Sequence, residues 1–277
     1  MASKNRALRA AVVAGAITRF IGSRLASENG VIAAQHRHRW ERQNHRGETV
    51  TLYEGPALGA GLAVGAALGG ACARTKSAAA LAVAGAATFG IIDDLTENTE
   101  EKGLRGHVGA ALRGKLTTGG LKILGIGATS VAAAALGRRS NSTSRDVIVN
   151  GMLIATSANL ANLFDLRPGR VLKIAGGISL PLALTTRESG LAGAVVGASL
   201  AAAAEDLDEK TMAGDGGANA LGALVGATVA FSAPRWAREA ALLGTIGLTV
   251  ASERWSFSEF IDKTPWAKKI DSWGRRR

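Results

Sequence analysis

Residues 55–70, GPALGAGLAVGAALGG, are the stretch of sequence that decides the fold. They include no charged residue, and Gly or Ala occupies most of the positions. Lipid removes the hydrophobic drive between helices, so helices in a membrane are held together by close packing, which small residues allow. The stretch therefore predicts a helix packed closely against other helices in a membrane, either within one chain or at a homodimer seam.

The composition of the whole chain follows the same pattern. Of its 277 residues, 47% are hydrophobic but only 4% are aromatic, and 36 are glycine. A soluble core would use more Leu, Ile and Phe, so a soluble Ala-rich helical protein is the less favoured alternative. The mean hydropathy of +0.15 is low because Ala and Gly contribute little to it. We expect an all-α, polytopic membrane protein with Ala- and Gly-rich helix packing.

Apolar stretches recur along the chain and predict about nine transmembrane helices, with a range of about eight to ten. The predicted spans are residues 8–27, 55–73, 77–92, 119–136, 146–164, 171–186, 189–204, 216–233 and 236–252. Several are shorter than the ~20 residues that a bilayer core requires of a helix. We expect residues 1–252 to form one transmembrane domain that carries the catalytic site.

Residues 253–277 form a basic tail that contains Trp255, Trp266 and Trp273. Aromatic residues among Lys and Arg are typical of a segment at the membrane interface, and Pro265 should interrupt any helix there. A solvated basic tail is the alternative interpretation.

Lys and Arg are more frequent in the odd-numbered connections between the predicted spans than in the even-numbered ones. The positive-inside rule then puts the odd-numbered connections and the tail on the cytoplasmic side of the plasma membrane. The net charge of +11 comes from basic residues beside apolar spans and not from one stripe with stacking aromatics. We therefore expect anionic lipids as partners and no nucleic acid.

Acidic residues end three of the predicted spans on the cytoplasmic side: Asp93 and Asp94 in GIIDD, Asp165 in NLFDLRPGR and Asp215 in AGDGG. Carboxylates at a membrane boundary are costly unless they are solvated, paired or metal-bound, so this convergence predicts one shared site. Taken singly, each could be a charge at a helix end. Carboxylate and amide oxygens suit Mg²⁺ (or Mn²⁺), which commonly bridges to substrate phosphates.

Two further features could bind phosphate. Gly214 and Gly216 beside Asp215 would permit tight backbone turns around a pyrophosphate. The connection 95–118 also offers cations near the aspartate pair, although a solvated loop would look the same. The candidate substrate-binding residues in that connection are Lys102, Arg105, His107 and Lys115.

Four blocks, in order and in spacing, resemble the polyprenyl-phosphate N-acetylhexosamine-1-phosphate transferases, the superfamily that includes phospho-N-acetylmuramoyl-pentapeptide transferase. The blocks are NHRGETVTLYEGPALGAG (44–61), GIIDDLTENTEEKGLRGHVGAA (90–111), NLANLFDLRPG (159–169) and MAGDGGANALG (212–222). The resemblance implies Mg²⁺-dependent transfer of a sugar-1-phosphate from a nucleotide sugar to polyprenyl phosphate, in peptidoglycan or other cell-envelope biosynthesis.

The resemblance also implies roles for individual residues. Asp93 and Asp94 would engage or deprotonate the lipid phosphate, and Asp215 would bind Mg²⁺. Asn162 and Asp165 would lie near the metal and the nucleotide. The residues expected to contact substrate include Asn159 from the same block.

The chain departs from the family pattern at several points. Leu166, Arg167 and Pro168 follow Asp165 where well-known members carry a second acidic position, and Glu97 stands where they have a lysine. The late cytoplasmic loop with clustered histidines is missing. These departures favour an alternative, a non-catalytic relative that acts as a scaffold or regulator of envelope synthesis. A small transporter is less favoured because few charges lie inside the predicted spans.

Overall fold

The computed structural model describes residues 2–27, 32, 34–96 and 118–276, and this part of the chain is helical apart from one small hairpin. The all-α expectation is confirmed. The principal helices are α1 (Ala2–Ala26), α2 (Glu54–Gly69), α3 (Ala73–Thr96), α4 (Thr118–Leu136), α5 (Ser144–Phe164), α6 (Arg170–Thr185), α7 (Ser189–Leu207), α8 (Gly214–Ser232) and α9 (Arg235–Ser252). The remaining elements are a 3₁₀-helix (Ala34–Trp40), β1 (Glu41–Gln43), β2 (Thr49–Thr51), α10 (Phe257–Lys263) and α11 (Pro265–Ser272).

Each predicted span corresponds to one of the helices α1–α9, with ends that differ by a few residues. Among the described residues, four helices are long and apolar enough to cross a membrane: α3, α4, α5 and α7. The others are short, carry charges or are diluted by Gly and Ala; α2 and α6, for example, have 16 residues each. Length and composition therefore support membrane association.

Helix α2, which contains most of the stretch 55–70, packs against α1, α3, α7 and α8. Its glycines make these contacts close. A Cβ added at Gly65 would lie 2.6 Å from Ala194 Cβ, one at Gly69 would lie 2.6 Å from the carbonyl carbon of Gly190, and one at Gly61 would overlap Thr18. Gly61, Gly65 and Gly69 of this stretch therefore serve packing within the chain.

Helix α9 lies at the periphery and packs chiefly against α5. The hydroxyls of Thr156 and Thr245 join the two helices at 2.7 Å. Leu243 is 70% exposed, and a Cβ added at Gly244 or Gly247 would meet no atom within 4 Å. The outer face of α9 is thus apolar and is not covered by any of the described residues.

The tail forms two short helices, and Pro265 begins the second of them, so the expected interruption at this proline is confirmed. The tail is also docked on the helical body. Asp271 receives two hydrogen bonds from the buried Arg170 guanidinium, at 2.7 and 3.0 Å. The Arg275 side chain donates to the Pro168 carbonyl at 2.8 Å, and Arg276 N donates to the Leu207 carbonyl at 3.1 Å.

The ion pair of the tail perturbs Asp271. Burial opposes ionisation of this carboxyl, but the hydrogen bonds and charges of Arg170 and Arg275 outweigh burial and hold its pKa below the usual value. The indoles of Trp255, Trp266 and Trp273 remain exposed. These polar contacts fix the tail, and Phe257 adds a ring stacked on Phe164 of α5, while the three tryptophans point outward.

Candidate functional site

One lysine joins two of the predicted aspartates. Lys122, near the start of α4, donates a hydrogen bond from Nζ to Asp93 Oδ2 at 2.5 Å, and it also donates to Asp215 Oδ2. Asp93 lies near the end of α3 and Asp215 in the first turn of α8. The three side chains are between 14 and 23% exposed. Three helix ends are thus tied together by one partly buried cation.

Asp94 has a different role from its neighbour. Its carboxylate accepts hydrogen bonds from Asp215 N at 3.0 Å and from Gly216 N at 2.9 Å, which are unpaired backbone donors at the start of α8. A negative charge at this position also stabilises the positive end of the helix. Arg42 on β1 donates to the main-chain carbonyl of Asp94. The aspartate pair is therefore divided between one residue that pairs with Lys122 and one that caps α8.

Glycines allow α3 and α8 to approach closely enough for these bonds. A Cβ added at Gly90 would overlap the main chain of Asp215, and one added at Gly216 would lie 2.6 Å from the Ile91 side chain. Gly214 has a φ of +58°, a left-handed conformation that favours glycine. Gly214 and Gly216, which the sequence suggested as substrate-binding residues, thus face α3 and its aspartates.

Asp165, at the end of α5, belongs to the same cluster. Burial raises its pKa well above the usual value, and the carboxylates of Asp206, Asp215 and Asp94 raise it further, while a hydrogen bond from the Gly214 backbone lowers it. Such mutual effects require short distances between charges. The four carboxylates that the sequence singled out, Asp93, Asp94, Asp165 and Asp215, thus lie at the same end of the bundle.

The other predicted residues are placed differently. Asn162 is half-buried one turn before Asp165, and its carbonyl accepts the Asp165 N–H at 3.0 Å. Asn159 is exposed and its side-chain amide donates to Thr249 Oγ1 of α9 at 3.4 Å, so it faces away from the carboxylates. The remaining candidates lie outside the described residues: Lys102, Arg105, His107 and Lys115.

A cavity of about 290 Å³ adjoins the cluster. It is lined by the hairpin region, by the segment after Asp165 and by the segment before α8, with His45, Arg167 and Asp206 among its residues. Asp206 is 2% exposed, and its Oδ2 has no hydrogen-bond partner within the described part of the chain. Burial and the charge of Arg167 lower the pKa of His45. The cavity thus has a buried acceptor at its wall and the Arg167 guanidinium at its edge.

The hairpin is attached to this region by main-chain bonds. Thr51 N donates to the Lys210 carbonyl at 3.1 Å, and Met212 N donates to the Thr51 carbonyl at 3.0 Å. These bonds fix the segment that leads into Gly214 and Asp215. The sequence block 44–61 is therefore joined in space to the block 212–222.

Sequence reasoning missed three residues of this site: Arg42, Lys122 and Asp206. Lys122 carried a signal, because it is a single cation near the end of an otherwise apolar span, a position that is costly without a partner. Arg42 was one of many basic residues in its connection. Asp206 lies outside the four sequence blocks, and only the fold brings it near Asp165.

The carboxylates have the chemistry to hold a hard cation. Asp93 and Asp215 already direct oxygens at one positive charge, the Lys122 ammonium. Within residues 2–27, 34–96 and 118–276, however, no three His, Cys, Asp or Glu side chains are grouped closely enough to hold a metal. A Mg²⁺ ion here would take part of its shell from water or from substrate phosphate, as this ion commonly does.

No protein-family model matches the chain, and no curated protein is significantly similar to it.

Proposed function

We propose that this chain is a membrane enzyme that transfers a sugar-1-phosphate from a nucleotide sugar to polyprenyl phosphate. One observation carries the proposal: Asp93, Asp94 and Asp215, from two separate helices, meet at one end of the bundle and are joined through Lys122 and through the start of α8. Such a cluster of carboxylates at helix ends suits a reaction between phosphates at a membrane boundary.

In this proposal all of α1–α9 cross the membrane, and the carboxylate end faces the cytoplasm together with the tail. The acceptor's hydrocarbon chain stays in lipid while the donor is soluble. A site at the boundary allows the two to meet in a fixed geometry, and such positioning supplies a large part of the rate acceleration.

The reaction is an attack of an acceptor phosphate oxygen on the β-phosphorus of the nucleotide sugar. A new oxygen–phosphorus bond forms as the bond from that phosphorus to the bridging oxygen breaks, and nucleoside monophosphate leaves with the electron pair. Asp93, oriented by Lys122, accepts the proton of the acceptor phosphate. Asp94 positions Asp215 by capping α8.

Mg²⁺, held by Asp215 with Asn162 and Asp165 nearby, would neutralise the charge of the donor diphosphate. The cavity that contains Asp206 supports a nucleotide-binding role for the adjoining region. Its volume of about 290 Å³ is close to the lower bound of about 300 Å³ for small-molecule pockets. The unpartnered Asp206 Oδ2 would accept a hydrogen bond from an N–H or O–H group of the nucleotide.

The non-catalytic relative remains a second candidate, and a specific contact favours it. Lys122 neutralises Asp93 and Asp215 without a metal, as a protein that needs only the fold would do. The two candidate functions differ in whether the aspartates at the carboxylate end catalyse the transfer reaction.

The test is release of nucleoside monophosphate by the purified full-length protein in detergent, given polyprenyl phosphate, Mg²⁺ and a panel of nucleotide sugars. We expect release from at least one sugar, its loss on chelation, and a fall of about 10²–10⁴-fold in Asp93→Asn, the range for a lost proton acceptor. Asp215→Asn should also lose activity.

Asp208→Asn is the matched control, because Asp208 lies at the same end of the bundle but pairs at the surface with Lys210 at 3.0 Å. Its activity should stay within about twofold of the wild type, since exposed ion pairs contribute little. If folded protein releases nothing with any sugar, the enzyme proposal is wrong and the non-catalytic candidate replaces it.

A further inference from the structure

A second cavity, of about 430 Å³, lies at the end of the bundle opposite the carboxylates. It is formed where α3, α5 and α9 begin and where α4 and α8 end. Arg74 near the start of α3 lines it, whereas Asp94 at the other end of the same helix belongs to the carboxylate cluster. Twenty residues of α-helix separate these positions, so the two regions are about 30 Å apart.

Arginine dominates the wall of this cavity. The basic side chains that line it are Arg74, Arg138, Arg139, Arg187, Arg235 and Arg238. The acidic side chains that line it are Asp146 and Glu188. The cavity therefore carries an excess of positive charge.

The two acidic residues are already engaged within the chain. Asp146 accepts from Arg235 at 3.1 Å and from Arg238 at 3.2 Å, and it also forms a capping box with Thr143 at the start of α5. Glu188, which is 2% exposed, accepts the Ala71 N–H at 2.7 Å. Neither carboxylate is directed at the remaining arginines.

Three arginines consequently keep their hydrogen-bonding capacity. Within the described ranges, Arg74, Arg138 and Arg187 have no ion pair and no side-chain hydrogen bond. The Nε of Arg238 is buried and has no partner in the same ranges. Guanidinium groups without carboxylates, gathered around one cavity, are suited to bind a multiply charged anion.

We propose that this cavity binds a phosphate-bearing anion, either a phosphate or a diphosphate group. Arginine is the residue of choice for such groups, because its planar fork donates two parallel hydrogen bonds to adjacent oxygens. A volume of about 430 Å³ lies within the range of about 300–1,000 Å³ for ligand pockets. The phosphate can belong to a lipid headgroup or to a free anion, and in the orientation proposed above it would bind on the outer side.

The test uses the full-length protein with two probes, inorganic pyrophosphate in non-ionic detergent and phosphatidylglycerol in phosphatidylcholine nanodiscs. The cavity variant is Arg138→Gln/Arg187→Gln, which removes two exposed and unpartnered side chains and should fold; Arg187→Gln alone is a second variant. The matched control is Arg145→Gln/Arg254→Gln, which removes the same amount of charge from outside the cavity. Arg145 forms an exposed ion pair with Glu239, and Arg254 lies at the other end of α9.

We expect calorimetry to show pyrophosphate binding that is at least about tenfold weaker in the cavity variant and unchanged in the control, because charge-assisted hydrogen bonds are lost. This result would show that the ligand of the cavity is a free phosphate-bearing anion. A rise in unfolding temperature that depends on phosphatidylglycerol, and that only the cavity variant loses, would assign a lipid headgroup. If wild type and cavity variant respond equally to both probes, or neither responds, the proposal is overturned.

Discussion

The two ends of the helical bundle differ in how their charged side chains are paired. At the carboxylate end, cations pair with aspartates inside the chain: Lys122 bridges Asp93 and Asp215, while Arg170 and Arg275 share Asp271. At the arginine end, three guanidinium groups surround a cavity without such pairs in the described residues. The comparison teaches that the carboxylate end depends on its own ion pairs for its structure, whereas the arginine end is assembled without a full charge balance.

Lys122→Gln should have the largest effect, because it removes the cation that Asp93 and Asp215 share. Removing one partner of a buried ion pair typically costs about 3–5 kcal/mol. We expect a marked fall in the free energy of unfolding, measured by denaturation in detergent. Lys210→Gln is the control; it removes a cation whose pair with Asp208 is exposed, which is worth about 0–1 kcal/mol.

The response to Mg²⁺ provides a second measurement on the Lys122→Gln variant. If Asp93 and Asp215 can share a metal in place of Lys122, Mg²⁺ should stabilise Lys122→Gln more than the wild type, since a ligand that binds only the folded state raises its stability. An unfolding temperature of the variant that does not respond to Mg²⁺ would show that these two aspartates do not bind the metal.

Asp271→Asn should have the next largest effect, confined to the tail. It leaves the Arg170 charge, in a residue that is 2% exposed, without its carboxylate, at a cost of about 3 kcal/mol. Limited proteolysis should then cut within residues 253–276 faster than in the wild type. Asp262→Asn, at an exposed position of α10, is the control; equal cleavage of the two variants would mean that the Arg170 pair does not hold the tail.

Acid should release the same contact. The pKa of Asp271 is lower in the folded chain than its usual value, so the pair contributes stability above a pH of about 4 and loses it as the pH falls through the lowered pKa. Proteolysis of the wild-type tail should therefore rise in acid, and that of Asp271→Asn should change less. Cleavage of the two proteins is compared at each pH, so that the pH dependence of the protease itself cancels.

A smaller effect distinguishes the packing of the two ends. A Cβ at Gly90 would overlap the main chain of Asp215, whereas a Cβ at Gly137, beside the arginine cavity, would lie 2.6 Å from the ring of Phe231. A ring can move more easily than a backbone. We expect Gly90→Ala to cost about 1–3 kcal/mol and Gly137→Ala to cost less, as measured by thermal unfolding. Gly244→Ala, which meets no atom within 4 Å, is the control.

The smallest effect concerns ionic strength. Salt screens the repulsion among Arg74, Arg138 and Arg187 and should raise the unfolding temperature slightly. Arg138→Gln/Arg187→Gln should reduce that salt dependence by relieving the repulsion. A salt dependence that is identical in the two proteins would mean that these arginines do not repel one another in the folded chain.

The sequence predicted the nine principal helices of the part of the chain that the structure describes, because long apolar stretches alternate with charged connections. It also predicted that Asp93, Asp94, Asp165 and Asp215 meet, because all four end spans on the same predicted side. Those inferences depend on local composition and on the alternation of chain direction. The number of helices that cross the membrane does not follow from the same signal, since Gly and Ala lower the hydropathy of helices such as α2 and α8.

The partners of these residues could not be predicted. Asp271 pairs with Arg170 across 101 residues, and several other cations lie near the same helix ends. Asp94 differs from Asp93 only through its orientation at the end of α3, which decides which carboxylate caps α8. Asn159 shared a block with Asp165 but is rotated toward α9. Tertiary packing decides which of several chemically equivalent residues form these contacts.

The docked tail also couples distant parts of the chain. Because Asp271 neutralises the buried Arg170 guanidinium, any change that detaches the tail leaves a buried cation without its carboxylate at the start of α6. Detachment would also remove the bonds to Pro168 and Leu207, which lie next to α6 and at the end of α7. Docking of the tail should therefore be cooperative with the packing of α6 and α7.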